Sequence, residues 1–173
     1  ALKIARRYTG RTEVIAMERG FHGRTVGALS STGMPHYREM FSPLLPGTHF
    51  VPFGDLDAVE ALLTDASGDA TAAVLLEPIQ SIAGVRVADA AYYQGLRALC
   101  DVNDTVLIFD EVQTGFGRTG TLFAGEHWDV VPDIITSAKG IASGFPMGAT
   151  LVTQTIAETI SYGEQGATFG GGP

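Results

Sequence analysis

The chain has 173 residues, 45% of them hydrophobic and 17% charged, with a formal net charge of −8 and a pI near 4.8. This is the composition of an ordinary globular chain with one core, and its acidity argues against nucleic acid and anionic membrane surfaces as partners, since both need clustered Lys and Arg. The single cysteine, Cys100, excludes an internal disulfide and a cysteine-cluster metal site, and no apolar run reaches membrane-spanning length, so the cytoplasm is the expected compartment.

The opening ALKIARRYTG reads as the tail of a helix closed by Gly10, and the closing ATFGGGP is a glycine run leading to no further element. A piece of a longer protein is expected. Glu13 to Met17 reads as a strand, followed by a glycine-flanked turn, Phe21-His22-Gly23-Arg24-Thr25, whose residue types suit stacking on a flat ligand and gripping an anion. Thr25 to Ser31 begins a helix, and positions 33–46, with Pro35, Pro43 and Pro46, read as loop. His49 to Pro52 is a short strand. Asp55 then caps a helix, Leu56 to Leu63, with Leu56, Val59, Leu62 and Leu63 on one face. Ala72 to Leu76 is a continuous apolar run, hence a buried strand, and it stops on Glu77-Pro78. A helix from Ala88 to Leu99, bearing Tyr92, Leu96 and Leu99, leads to a strand over Thr105 to Phe109 that stops on Asp110 and Glu111. A further apolar run, Ile134-Ile135, ends in Ser137-Ala138-Lys139-Gly140; a last strand over Gly148 to Val152 and a short helix over Ile156 to Ile160 follow. The alternation predicts an α/β fold with a mostly parallel sheet and helices on both faces.

Asp110 and Lys139 thus stand at the ends of two neighbouring strands, where open α/β sheets hold ligands. Only Lys3 and Lys139 are lysines, and a lysine desolvated after an apolar strand has a lowered pKa and can form a Schiff base. Pyridoxal phosphate needs such a lysine for its aldehyde and an anionic partner for its pyridinium nitrogen. The run Gly115 to Gly120 spells G-x-G-x-x-G, but no strand feeds it directly and no helical pattern follows, so it does not fit a dinucleotide cradle. A non-catalytic nucleotide-binding module through that loop is the alternative from another class. His22, His36, His49 and His127 have no zinc-site spacing, no metal is expected, and no G-x-S-x-G elbow occurs.

Six ordered motifs carry a resemblance: FHGRT with GALSSTG, EPIQ, LIFDEVQTGFGRTG, PDIITSAKG, GFPMGA and TFGG. In that order they resemble class III aminotransferases, pyridoxal-phosphate enzymes of fold type I, over nearly the whole chain. The resemblance implies a fragment of the cofactor-binding large domain, with a phosphate-binding loop before Ala1 and a small domain after Pro173. It implies that Lys139 bonds the cofactor and shuttles the proton, that Asp110 pairs with the pyridinium nitrogen, and that Phe21 and Val112 cover the two ring faces. Gln113 would bond the phenolic oxygen, His22 and Glu77 join the cofactor-binding set, and Thr168 would reach the phosphate of a neighbouring subunit in a homodimer. The implied reaction moves an amino group from an amino acid or ω-amino donor to a 2-oxo acid such as 2-oxoglutarate. Arg24 looks like the substrate-carboxylate contact of acetylornithine- and 4-aminobutyrate-type members. Yet the family's E-P-I-Q-G-E is here Glu77-Pro78-Ile79-Gln80-Ser81-Ile82. Ile82 thus replaces an acid that masks a substrate-binding arginine, which points toward alanine–glyoxylate-type members, so acetylornithine is favoured with both others open.

Overall fold

Side chains of a parallel strand point alternately to opposite faces, so a sheet whose strands are apolar throughout must be covered on both. The computed structural model, which describes residues 1–65 and 70–167, meets that demand. Its elements are α1 (Leu2–Thr9), β1 (Glu13–Met17), α2 (Val26–Ser30), α3 (Pro35–Arg38), β2 (Thr48–Val51), α4 (Leu56–Thr64), β3 (Thr71–Leu76), α5 (Ala90–Val102), β4 (Val106–Asp110), β5 (Ile134–Ser137), β6 (Ala149–Val152) and α6 (Gln154–Ala157). Short 3₁₀ turns span Glu39–Phe41, Ala124–Trp128 and Lys139–Ala142. The six strands form one sheet in the order β2-β1-β3-β4-β5-β6, parallel except for antiparallel β6, as the expected α/β class requires.

On one face Ile15, Met17, Val74, Leu76, Leu107 and Phe109 pack against Val59 of α4 and Tyr92, Leu96 and Cys100 of α5. The intervening residues Val14, Ala73, Leu75, Val106, Ile108 and Ile134 pack on the other face against Ala5 of α1 and Ile156 of α6. Each large apolar side chain so buried contributes roughly 1.5–3 kcal/mol. Cys100 is one of these hydrophobes, and desolvation pushes its thiol up to about 12, which leaves it chemically inert.

Helix boundaries depart from the sequence pattern for local reasons. The expected start at Ala88 moves to Ala90 because Asp89 accepts a hydrogen bond from the Tyr92 N–H and acts as the cap. The helix runs past Leu99 to Val102 because Cys100, one turn beyond Leu96, continues the buried stripe. Asp55 caps α4 as expected. The final helix sits earlier than Ile156 to Ile160, at Gln154–Ala157. The stretch expected to be loop holds α3 and a 3₁₀ turn, since Pro35 at the first helical position fixes the φ that a helix start needs.

β1 runs on to β2 on one side, whereas its other neighbour, β3, runs on to β4 on the opposite side, so the connections diverge and open a crevice at the carboxyl ends of β1 and β3. The chain after β1 folds back across that crevice: the Gly33 N–H donates to the Gly20 carbonyl at 2.8 Å, and the Arg19 N–H donates to the Gly33 carbonyl at 2.8 Å. The approach is close enough that a Cβ on Gly33 would lie 2.1 Å from the Met17 carbonyl oxygen. Gly33→Ala must therefore push two backbones apart. In the intact protein it is expected to lower unfolding stability by about 1–3 kcal/mol or more, read by denaturant titration; a variant within 0.5 kcal/mol of wild type, roughly the size of a neutral surface change, would contradict the packing described.

Candidate active site

The crevice is furnished from four strand ends. After β1, Phe21 and His22 are fixed through their backbones: the Phe21 N–H donates to Glu77 Oε1 at 2.8 Å, and the His22 N–H donates to Thr32 Oγ1 at 3.0 Å. Glu77 follows β3 and is 5% exposed. Burial raises its pKa, opposed by the Phe21 N–H; His22 acts in the same lowering direction and the Asp110 charge in the raising one. Tyr93 anchors this turn from below, donating to the Pro78 carbonyl at 2.6 Å and accepting from the Ala88 N–H at 3.1 Å.

Asp110 closes β4, and three donors fix the plane of its carboxylate. Oδ1 accepts from the Val112 N–H at 3.2 Å and Thr136 Oγ1 at 3.1 Å, while Oδ2 pairs with His22 Nδ1 at 2.8 Å. The His22 side chain is 4% exposed, and its Nε2 is buried without a hydrogen-bond partner among the described residues. A proton on Nδ1 is the arrangement that donates to Asp110. Glu111, next in sequence, points the other way, as alternation along a strand requires. Its buried carboxylate accepts from Thr114 Oγ1 and from the Ala124 and Gly125 N–H groups, so it anchors the 3₁₀ turn and is absent from the crevice.

Lys139 lies two residues past β5 with φ 49°, a left-handed conformation that a side-chain-bearing residue rarely adopts. Its Nζ donates to Gln113 Oε1. A cleft of about 110 Å³ is lined by Phe21, His22, Glu77, Ile82, Asp110, Val112, Gln113 and Lys139. It adjoins a cavity of about 590 Å³ that shares His22, Asp110 and Val112. Eight sequence-expected residues thus meet in one place. Arg24 does not line the cleft; it is exposed at the rim, with its guanidinium carbon 4.1 Å from the Tyr37 ring centroid and 5.8 Å from that of Phe21. Thr168 lies outside the described residues.

Thr32, Thr136, Tyr37 and Tyr93 carry no local sequence signal, because each acts through a contact distant in the chain. Only Thr136 had a usable clue, its place opposite Asp110 in the β4–β5 register. The Gly115 to Gly120 run closes on itself, with the Phe116 N–H donating to the Leu122 carbonyl at 2.7 Å, and opens no α-helix. Among the described residues no group of His, Cys, Asp and Glu is arranged to hold a metal, and no helix is long and apolar enough to cross a membrane.

Comparison with known proteins places this geometry. The family model described as Aminotransferase class-III matches residues 1–173. The chain is 52% identical over 173 residues to the acetylornithine aminotransferase of Methanopyrus kandleri, covering all of this chain and 43% of that protein. The structure superimposes on a transaminase from the marine bacterium Virgibacillus with a TM-score of 0.91 at 29% identity, covering 97% of this chain and 42% of that one. It also matches an ornithine aminotransferase from Toxoplasma gondii described with partial occupancy of PLP at its active site, with a TM-score of 0.87 at 33% identity, covering 97% of this chain and 41% of that one. The chain therefore spans under half the length of these relatives.

The raised Glu77 pKa makes a pH prediction. The folded state binds the Glu77 proton more tightly than the unfolded state, so this contribution is fully present below the ordinary glutamate pKa and is lost as pH rises through the raised folded value. Glu77→Gln keeps an acceptor for the Phe21 N–H but cannot ionise. The melting temperature of the variant relative to wild type is expected to climb between pH 4 and neutrality, by thermal denaturation of the intact protein; a pH-independent difference would show that Glu77 does not titrate in this way.

Proposed function

Since this chain belongs to the class-III aminotransferases, we propose that it forms part of the cofactor-binding large domain of a pyridoxal-phosphate-dependent transaminase. The observation that carries this reading is the convergence of Asp110 and Lys139, from adjacent strand ends, on one cleft walled by Phe21 and Val112.

The residues suit pyridoxal phosphate. A carboxylate offers about four lone-pair sites, and three donors engage Asp110, which leaves room for one more N–H from a protonated ring nitrogen. Phe21 and Val112 supply apolar surface for the faces of a flat ring, and Lys139 supplies the amine that an aldehyde requires. When bound, the group supplies an electron sink for the carbon that loses a proton. Asp110 holds a proton at the ring nitrogen, and His22 Nδ1 keeps its carboxylate aimed there. Lys139 Nζ would take a proton from the substrate carbon and return it to the carbon of the bound group that had carried the aldehyde. Gln113 orients that amine, and Glu77 fixes Phe21 through its backbone N–H.

The proposed reaction moves an amino group from a donor resembling acetylornithine to a 2-oxo acid such as 2-oxoglutarate, in a cytoplasmic homodimer. The name of the Methanopyrus kandleri relative supports that donor. Ile82, 50% exposed on the cleft wall, presents an apolar surface to the substrate, and Arg24 at the rim is the cation for its carboxylate. Thr168 is assigned to the cofactor phosphate of the neighbouring subunit.

In the intact protein Lys139→Ala is expected to lower kcat by about 10²–10⁴-fold or more, while bound cofactor keeps the absorbance of its free aldehyde. Wild-type turnover with a lysine-linked absorbance would remove Lys139 from the reaction. A donor screen is expected to rank acetylornithine above 4-aminobutyrate and alanine by kcat/KM; the reverse order would reassign the substrate and leave the reaction class intact.

A further inference from the structure

Arg24 carries a charge in need of orientation, and among the described residues no carboxylate or carbonyl is bonded to it. Among the described residues it takes part in none of the ion pairs or side-chain hydrogen bonds, although Arg7 and Arg97 do. What it touches most closely is Tyr37: its guanidinium carbon stands 4.1 Å from the centre of that ring, against 5.8 Å from that of Phe21. A guanidinium lying over an aromatic ring is held by the ring's quadrupole while its N–H donors stay available. An arginine oriented by a salt bridge would already have spent part of that fork; one oriented by a ring keeps it for a planar carboxylate.

Tyr37 is itself located by the cleft. Its ring meets Phe21 at 5.7 Å and 75°, the edge-to-face arrangement that aromatic pairs prefer. The Phe21 backbone is tied to Glu77, and the chain carrying Tyr37 is brought back by the Gly20–Gly33 contact and started into α3 by Pro35. A line of contacts therefore runs from the aromatic on the cleft wall, through Tyr37, to the guanidinium at the rim. No residue of α3 lines the cleft itself, so Tyr37 bears on it through Phe21 and Arg24.

We propose that Tyr37 is a specificity-determining positioning residue, which registers the Arg24 guanidinium to the plane of Phe21 and keeps its donors free for the carboxylate of the amino donor. The inference rests on the proposed role of Arg24 as that carboxylate's contact. Tyr37 touches neither cofactor nor substrate in this scheme, so its removal weakens carboxylate binding and spares the chemistry.

The test is steady-state kinetics of the intact holoenzyme with acetylornithine as donor. Tyr37→Leu and the longer Tyr37→Met are expected to raise KM about three- to tenfold, from the range of cation–π strengths, with kcat within about twofold. Tyr37→Phe, which keeps the ring, is expected to retain the wild-type KM. Arg24→Lys, which loses both the fork and the planar stack, is expected to raise KM at least as much. If Arg24→Lys raises KM but both aliphatic variants leave it unchanged, or lower only kcat or melting temperature, Tyr37 is merely structural and the proposal is overturned. If Arg24→Lys leaves KM unchanged, the role of Arg24 fails first and the proposal with it. Should the aliphatic variants not fold, fluorinated phenylalanines at position 37 decide: KM climbing with each added fluorine supports the cation–π contact, and a flat series overturns it.

Discussion

The site depends on one buried carboxylate. Asp110 is 7% exposed, and a charge so placed is tolerable only if its oxygens are engaged, since losing one partner of a buried pair costs on the order of 3–5 kcal/mol. Its partners come from separate parts of the chain: His22 from the turn after β1, Thr136 from β5 and the Val112 N–H from its own turn. Satisfying Asp110 therefore fixes where three segments stand relative to one another. The sheet order matters for this reason, because it places β4 between β3 and β5 and brings the β1 turn within reach across β3.

A second layer of polar contacts holds the segments that carry those partners. Glu77 grips the Phe21 backbone, Thr32 grips that of His22, and the phenol of Tyr93, pushed up to about 12 by burial and so kept protonated, holds the Pro78 carbonyl. Glu111 works in the opposite direction, away from the crevice, and ties the end of β4 to the turn at Ala124–Trp128. Two adjacent carboxylates thus separate into a cleft-facing group and a structural one by strand alternation alone.

That alternation also decides what could be read in advance. Apolar runs ending on Glu77, Asp110 and Lys139 are local patterns, so the strands, the parallel sheet and the acid–amine pair were all legible in the sequence. Thr136, Thr32 and Tyr37 were not, because their roles exist only through contacts 26, 10 and 16 residues away or through ring geometry. The positions 33–46 misled for a related reason: three prolines argue for a loop, yet a proline at a first helical position starts a turn as readily as it ends one. The Gly115 to Gly120 run shows the reverse case, a spelled motif without the strand–turn–helix context that would give it meaning.

Lys139 is one of seven described residues other than glycine held at positive φ, and it is the one among them that lines the cleft. A residue other than glycine held at positive φ carries a cost of order 1–3 kcal/mol, which persists only where surrounding structure over-determines it. Here β5 fixes the approach, antiparallel β6 fixes Ser137 against Ala149, and Gln113 receives the amine. The backbone turn aims Nζ into the cleft shared with Asp110, whereas an extended continuation of β5 would alternate its side chains away from it. The rim, where Ile82 is half exposed and Arg24 rests on an aromatic ring, is held by fewer and weaker contacts, so substitutions there leave the Asp110 network undisturbed.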